Sequence, residues 1–126
     1  MAAVELAIPL PLLVFVFLVA VDFCRIFYFV LTVENCARNG ALWACDAYAQ
    51  TESPYANVTT AARADFPESS RSQLSVTDPA SVIKKDGIEY VQVTCTYSFQ
   101  TITSYPGIAG PWNIQRSAWA RVVPGR

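Results

Sequence analysis

At 126 residues the chain has the length of one ordinary domain. Its nine basic and ten acidic side chains nearly cancel, which argues against nucleic-acid binding, since that needs a concentrated basic patch. It has no histidine, so the commonest general base and metal ligand is missing.

The apolar residues crowd into the first third. Within Met1–Val21, MAAVELAIPLPLLVFVFLVAV, the only charge is Glu5. An acidic residue at the centre of a membrane helix costs about 2.5–3.5 kcal/mol. Glu5 therefore calls for a partner or an aqueous boundary. One reading is an acid stabilised by the dipole of a helix N-terminus. The other is an ion pair with an α-amino group, if Met1 is a mature N-terminus. A secretory signal peptide fits poorly, because a basic n-region and a small-residue cleavage site are both missing.

Leu6–Val21 is uncharged and somewhat shorter than the ~20 residues that span a bilayer core. Phe23–Val33 prolongs the stripe past Asp22 and Arg25, which stand three apart and can pair on one helix face. Phe23, Phe27, Tyr28 and Phe29 flank this polar step, where a membrane-interface belt and core packing are both open readings. The first ~50 residues read as one helix. Pro9 and Pro11 disturb it, each removing an N–H, and free the carbonyls of Glu5 and Ala7. Further along, Ala37, Gly40, Ala41, Ala44 and Tyr48 share a face of small residues on which a sheet can sit closely. Asn57–Phe66 reads as a short second helix, stopped by Pro67, and Phe66–Ser72 as a polar loop.

Strand patterns follow. Leu74 and Val76 alternate within Gln73–Asp78, and Asp86-Gly87 is a hairpin signal. Glu89–Gln100 places Val91, Val93, Cys95, Tyr97 and Phe99 on one face. Tyr105–Pro111 is a Pro/Gly loop and Trp112–Val123 a last strand. The order of elements predicts an α+β fold, a long apolar helix with a small antiparallel sheet packed on its C-terminal half. Residues 1–33 are then a helix for a filament core or membrane. Residues 34–126 form a head with helices over 34–50 and 57–66 and a sheet over 73–123. No element of the chain is large enough to bury the first half of the helix, so its partner is lipid or other copies.

Four cysteines in a chain with an export-type helix point to an oxidising compartment. Cys95 lies on the inward strand face and Cys45 beside the small-residue face, so a Cys45–Cys95 disulfide is expected, with Cys36 as the rival partner. Cys36 and Cys45 lie ~13 Å apart along a helix, too far to bridge to each other. Cys24 sits in the apolar segment as a small hydrophobe, and four reduced thiols are the alternative. Asn57-Val58-Thr59 is a glycosylation sequon, for which an unmodified loop or helix start is the favoured reading. Thr51, Ser69, Ser70 and Ser72 are candidates for O-linked sugar. The acids Asp46, Glu52, Asp65, Glu68, Asp78 and Glu89 are scattered, and no serine or cysteine has a histidine to activate it. No catalytic residue, metal site or cofactor is expected, and the chain is not read as an enzyme.

AAVELAIPLPLLV resembles the N-terminus of TadE-like pilins, a branch of the type IV pilin superfamily. Asp22-Phe23-Cys24-Arg25 is similar to that family's Glu-Phe-Gly-Arg step, and Ala37-Arg38-Asn39-Gly40-Ala41 to its Ala-Arg-Glu-Gly-Ala segment. VQVTCTYSF and the closing SAWARVV fit its C-terminal part. The sequence departs at Asn39, Leu42, Pro9 and the four cysteines. The resemblance implies a structural subunit that polymerises into an extracellular filament for surface attachment. Met1, Glu5, Pro9 and Pro11 would then serve subunit assembly, with Glu5 meeting the Met1 amine of a neighbouring copy. It implies an inner-membrane stage before assembly, a prepilin peptidase and pilus machinery as partners, and a sequence that starts after leader removal. A minor pseudopilin component of an assembly or secretion machine is the alternative, and a membrane-anchored enzyme or binding domain the third reading.

Overall fold

One helix, α1 (Pro9–Cys45), carries the whole architecture. The computed structural model describes residues 5, 7–78, 80–102 and 110–124. At 37 residues α1 is about 55 Å long. Pro9 occupies its first position, where a missing N–H is no loss and the fixed φ suits the helix. Pro11 sits in the same first turn, whose amides have no intrahelical acceptor. The expected disturbance therefore falls at a helix start and leaves α1 uninterrupted, with Glu5 and Ala7 upstream of it.

The helix expected to run to residue 50 breaks at Asp46. Its backbone turns extended (φ −129°, ψ 110°) and its carboxylate accepts from the Tyr48 amide at 2.9 Å, starting α2 (Ala47–Glu52). The break swings Tyr48 off the small-residue face, and it is 73% exposed. A second cap opens α3 (Val58–Ala62). Asn57 Oδ1 accepts from the Thr60 amide at 2.8 Å, and the Asn57 amide donates to Thr60 Oγ1 at 3.1 Å. This helix stops short of the expected Phe66, and the following loop is a 3₁₀ helix over Glu68–Gln73.

Four antiparallel strands follow: β1 (Leu74–Val76), β2 (Ser81–Lys85), β3 (Ile88–Phe99) and β4 (Trp112–Arg121). β3 is the axis of the sheet. Along one edge it pairs first with β2, Lys85 opposite Ile88, and then with β1, Val76 opposite Cys95. β4 runs the length of the other edge, from Trp112 opposite Phe99 to Arg121 opposite Tyr90. Asp86 (φ 53°) and Gly87 (φ 75°) both take positive φ, as the tight hairpin between β2 and β3 requires.

The alternation in β3 decides what faces α1. Val91, Val93, Cys95, Tyr97 and Phe99 are buried against Val33, Cys36, Ala37 and Ala41 of the helix. Val58, Ala62, Phe66 and Leu74 close the core from the side. The helix and β3 run antiparallel at short range. Phe29 stacks on Tyr97 with ring centroids 4.6 Å apart. A Cβ at Gly40 would stand 3.0 Å from Val93 Cγ1 and 3.2 Å from Ala62 Cβ. Glycine is needed there because the strand side chain lies where a side chain would be. At the far end the Val123 amide donates to the Cys45 carbonyl at 2.8 Å, tying the end of the sheet to the end of α1.

The sheet also reaches further down the helix than the expected boundary at residue 33. Ile26, Phe29 and Val30 pack against the core, and Val33 lies fully inside it. The helix from Ile26 to Val33 therefore packs on the same core as the sheet.

Candidate functional site

Below Asp22 the helix has no covering element among the described residues. Ile8, Leu12, Leu13, Val16 and Phe17 are 57–77% exposed, and only Leu18, Val19 and Val21 are half-buried. The composition dictates this surface, because Leu6–Val21 offers no polar side chain to turn toward water. A helix apolar on every side is stable only inside an apolar surrounding, a membrane or other protein. α1 is long and apolar enough to cross a membrane. Phe23, Phe27 and Tyr28 extend the exposed stripe to the level of the head, whereas Phe29 turns inward onto Tyr97, Phe66 and Phe99.

The junction of stem and head is polar and built. Arg25 Nη1 donates to Asp22 Oδ1 at 3.1 Å, one helix turn away. The same oxygen accepts the backbone N–H of Ile102 at 3.1 Å. The Arg25 guanidinium lies 5.1 Å over the Phe99 ring, a cation–π contact. Asp22 is 2% exposed, yet its charge is met by a cation and a backbone donor. The carboxylate thereby pins the segment after β3 to the helix where the stem begins. The spacing of Asp22 and Arg25 was readable in the sequence. Ile102 was not, since a backbone amide leaves no mark in a side-chain pattern.

Glu5 is exposed and lies upstream of α1. Its expected partner, the Met1 amine, lies outside the described residues. Pro9 and Pro11 are on the exposed stem. Asn57 is exposed and held in its cap, and Thr59 of the same sequon donates to Asp78 Oδ2 at 3.0 Å. The triplet thus has a structural task at the start of α3, whose cap was signalled by Asn57-x-x-Thr60.

All four cysteines are free thiols, with Cys24 exposed and Cys36, Cys45 and Cys95 buried. Cys45 Sγ donates to the Leu42 carbonyl at 3.1 Å, near the top of the helix. Cys36 and Cys95 are both fully inside the core. Burial pushes the Cys95 thiol up to about 12, and the adjacent Cys36 adds to that rise while Arg63 opposes it. Cys95 is thus brought together with Cys36, the rival partner, while Cys45 lies at the level of Val123.

Among the described residues no group of three or more His, Cys, Asp or Glu side chains is gathered to hold a metal ion. A surface cleft on the head is lined by Asn39, Trp43, Tyr55 and Asp65. Two of its polar side chains pair, Asn39 Nδ2 donating to Asp65 Oδ2 at 2.6 Å, while the buried Trp43 Nε1 meets no hydrogen-bond partner among the described residues. The arrangement suits association through the stem.

No curated protein and no solved structure matches the chain. The family model of TadE-like proteins matches residues 1–42, which span the exposed stem, the Asp22–Arg25 junction and the helix face beneath the sheet. Over residues 1–42 the chain is thus similar to TadE-like proteins.

Proposed function

We propose that the chain is a structural pilin subunit that polymerises into an extracellular helical filament through its N-terminal helix. The observation that carries the reading is the bare stem. An apolar helical surface from Ile8 to Val21, mostly exposed among the described residues, extends past the sheet. Fully burying a Val, Leu or Phe side chain contributes about 1.5–3 kcal/mol. Packing many such groups against neighbouring stems offsets the entropy lost in assembly. The sheet packs on the helix above Asp22, so stems can bundle with the sheets outside. Before assembly the same helix anchors the subunit in the inner membrane, where the prepilin peptidase and pilus machinery take it up. Filaments carrying such heads serve surface attachment.

Electron microscopy of the shed surface fraction tests this. Helical fibres whose density fits α1 at the core, with this chain as the major protein, are expected. Fibres in which it is only a trace component assign it instead to the minor, pseudopilin role. Its retention as a lone membrane protein ends the filament reading.

A further inference from the structure

We propose that Cys36 and Cys95 form a disulfide that bolts α1 to the central strand of the sheet, in place of the expected Cys45–Cys95 link. Height along the helix decides which thiols meet. Gly40 meets Val93 at one level, and Phe29 meets Tyr97 at another. One turn down from Gly40, about 6 Å, is Cys36. Two residues on from Val93, about 7 Å, is Cys95. The two thiols therefore face each other between two measured contacts, in the same buried cluster. The helix can approach the sheet closely there, because Ala37, Gly40 and Ala41 present almost no side chain. A disulfide demands such an approach, with Cα atoms within about 7 Å. Cys45 stands nine residues above Cys36, about 13 Å along the axis, where its carbonyl meets Val123. Cys95 would have to slide two strand repeats to reach it.

The chemistry rests on the reading that the head folds outside the cytoplasm, where protein disulfides serve as oxidants. One thiolate of the pair attacks a disulfide of such an exchange partner, forming a mixed disulfide. The second thiolate displaces the partner's sulfur. One S–S bond forms in this chain and one breaks in the partner. The pair loses two protons and two electrons, and the partner leaves as a dithiol. In the docked core the Cys95 thiol, pushed up to about 12, is a poor nucleophile and has no access to a partner. The bond therefore closes as helix and sheet come together, and docking then shields it from reductant.

Peptide mapping decides it. The full chain, taken from the cell surface, is denatured, alkylated without reductant and digested with trypsin. Arg38 separates Cys36 from Cys45, so their peptides are distinct. The expected result is a linked pair of peptides carrying Cys36 and Cys95, with Cys24 and Cys45 alkylated. The Cys45→Ala chain keeps the link, whereas Cys36→Ala loses it. A Cys45–Cys95 link, a link between two copies or four alkylated thiols overturns the proposal. Four alkylated thiols in intact fibres leave the filament reading standing, and the expected link in a chain that never forms fibres leaves the disulfide standing.

Discussion

Asp22 accepts a hydrogen bond from the backbone N–H of Ile102 at 3.1 Å, across 80 residues of sequence. The carboxylate sits inside the protein at the one point where an apolar stem becomes the support of a sheet. Its placement removes a paradox of the sequence, an acid in a membrane-like helix. Arg25 supplies the charge and the end of the sheet supplies a donor, so the acid is a fastening.

Replacing Asp22 by Ala is expected to loosen the segment after β3 while the rest of the sheet stays paired. Losing the partner of a buried donor costs about 1–3 kcal/mol. Arg25 is 38% exposed and finds water instead, so the loss belongs near the low end. Asp22→Asn keeps an acceptor oxygen and should lose less. Amide hydrogen exchange checks this at one site. Ile102 should exchange much faster in Asp22→Ala and only moderately faster in Asp22→Asn, and unchanged protection in both would refute the fastening.

Gly40→Ala sets two effects against each other. Alanine gains about 1 kcal/mol of helix propensity. Its methyl meets Val93 Cγ1 at 3.0 Å and Ala62 Cβ at 3.2 Å, both in fully buried side chains with nowhere to retreat. Overpacking of this kind costs about 1–3 kcal/mol. Net destabilisation of about 1 kcal/mol is therefore expected, and a larger loss for Gly40→Val. Denaturant midpoints measure both, and a stabilised Gly40→Ala chain would show that the sheet can lift.

The chain's pattern made some of this legible and hid the rest, for a definite reason. Periodicity reports the face a residue occupies. Ala37, Gly40 and Ala41 were readable as a contact face, and Val91 to Phe99 as the strand face that meets it. Periodicity does not report the height at which two faces meet. That is why Cys45 and Cys36 were both candidates for Cys95, and why the packing of Ile26, Phe29 and Val30 beneath the sheet leaves no mark in the pattern. The break at Asp46 was hidden because apolar spacing continues through it. Its cause is an Asp side chain that caps the next helix, a choice the backbone makes between two acceptable states.

The Cys95 thiol gives a pH signature that separates the reduced and bridged forms. Its folded value is raised from 9.0 to about 12, so the folded state holds the proton more tightly than the unfolded chain. The stability tied to that proton is fully present below pH 9 and is lost as pH rises toward 12. The reduced chain should weaken steadily across that window. A chain bridged through Cys95 has no such thiol and should lack this component. Thermal unfolding from pH 8 to 11, with and without reductant, makes the comparison, and identical slopes would show that Cys95 is in the same state in both.

Glu5→Ala should leave the head intact and impair assembly. Glu5 is exposed and precedes the helix that supports the sheet, so no head contact depends on it. In a filament its loss would leave a neighbouring amine unpaired, at about 3–5 kcal/mol if that pair is buried. The head's unfolding midpoint should match the parent while fibre yield falls steeply. Parent-level fibre yield would remove Glu5 from the assembly contact.

The reach of the sheet along α1 sets where the chain can be cut. A chain of residues 22–126 keeps Asp22, Arg25, Ile26, Phe29, Val30 and Val33, which meet the lower half of the sheet and the segment after β3. A chain of residues 34–126 loses them and uncovers Tyr97 and Phe99, on which Phe29 packs. Burial of Val33 and Phe29 alone contributes several kcal/mol, at about 1.5–3 each. A small domain has only about 5–15 kcal/mol in total. The 22–126 chain is therefore expected to unfold cooperatively near the parent midpoint, and the 34–126 chain to show no cooperative transition. Equal melting of the two would mean that the helix between Asp22 and Val33 belongs to the stem and only rests against the head.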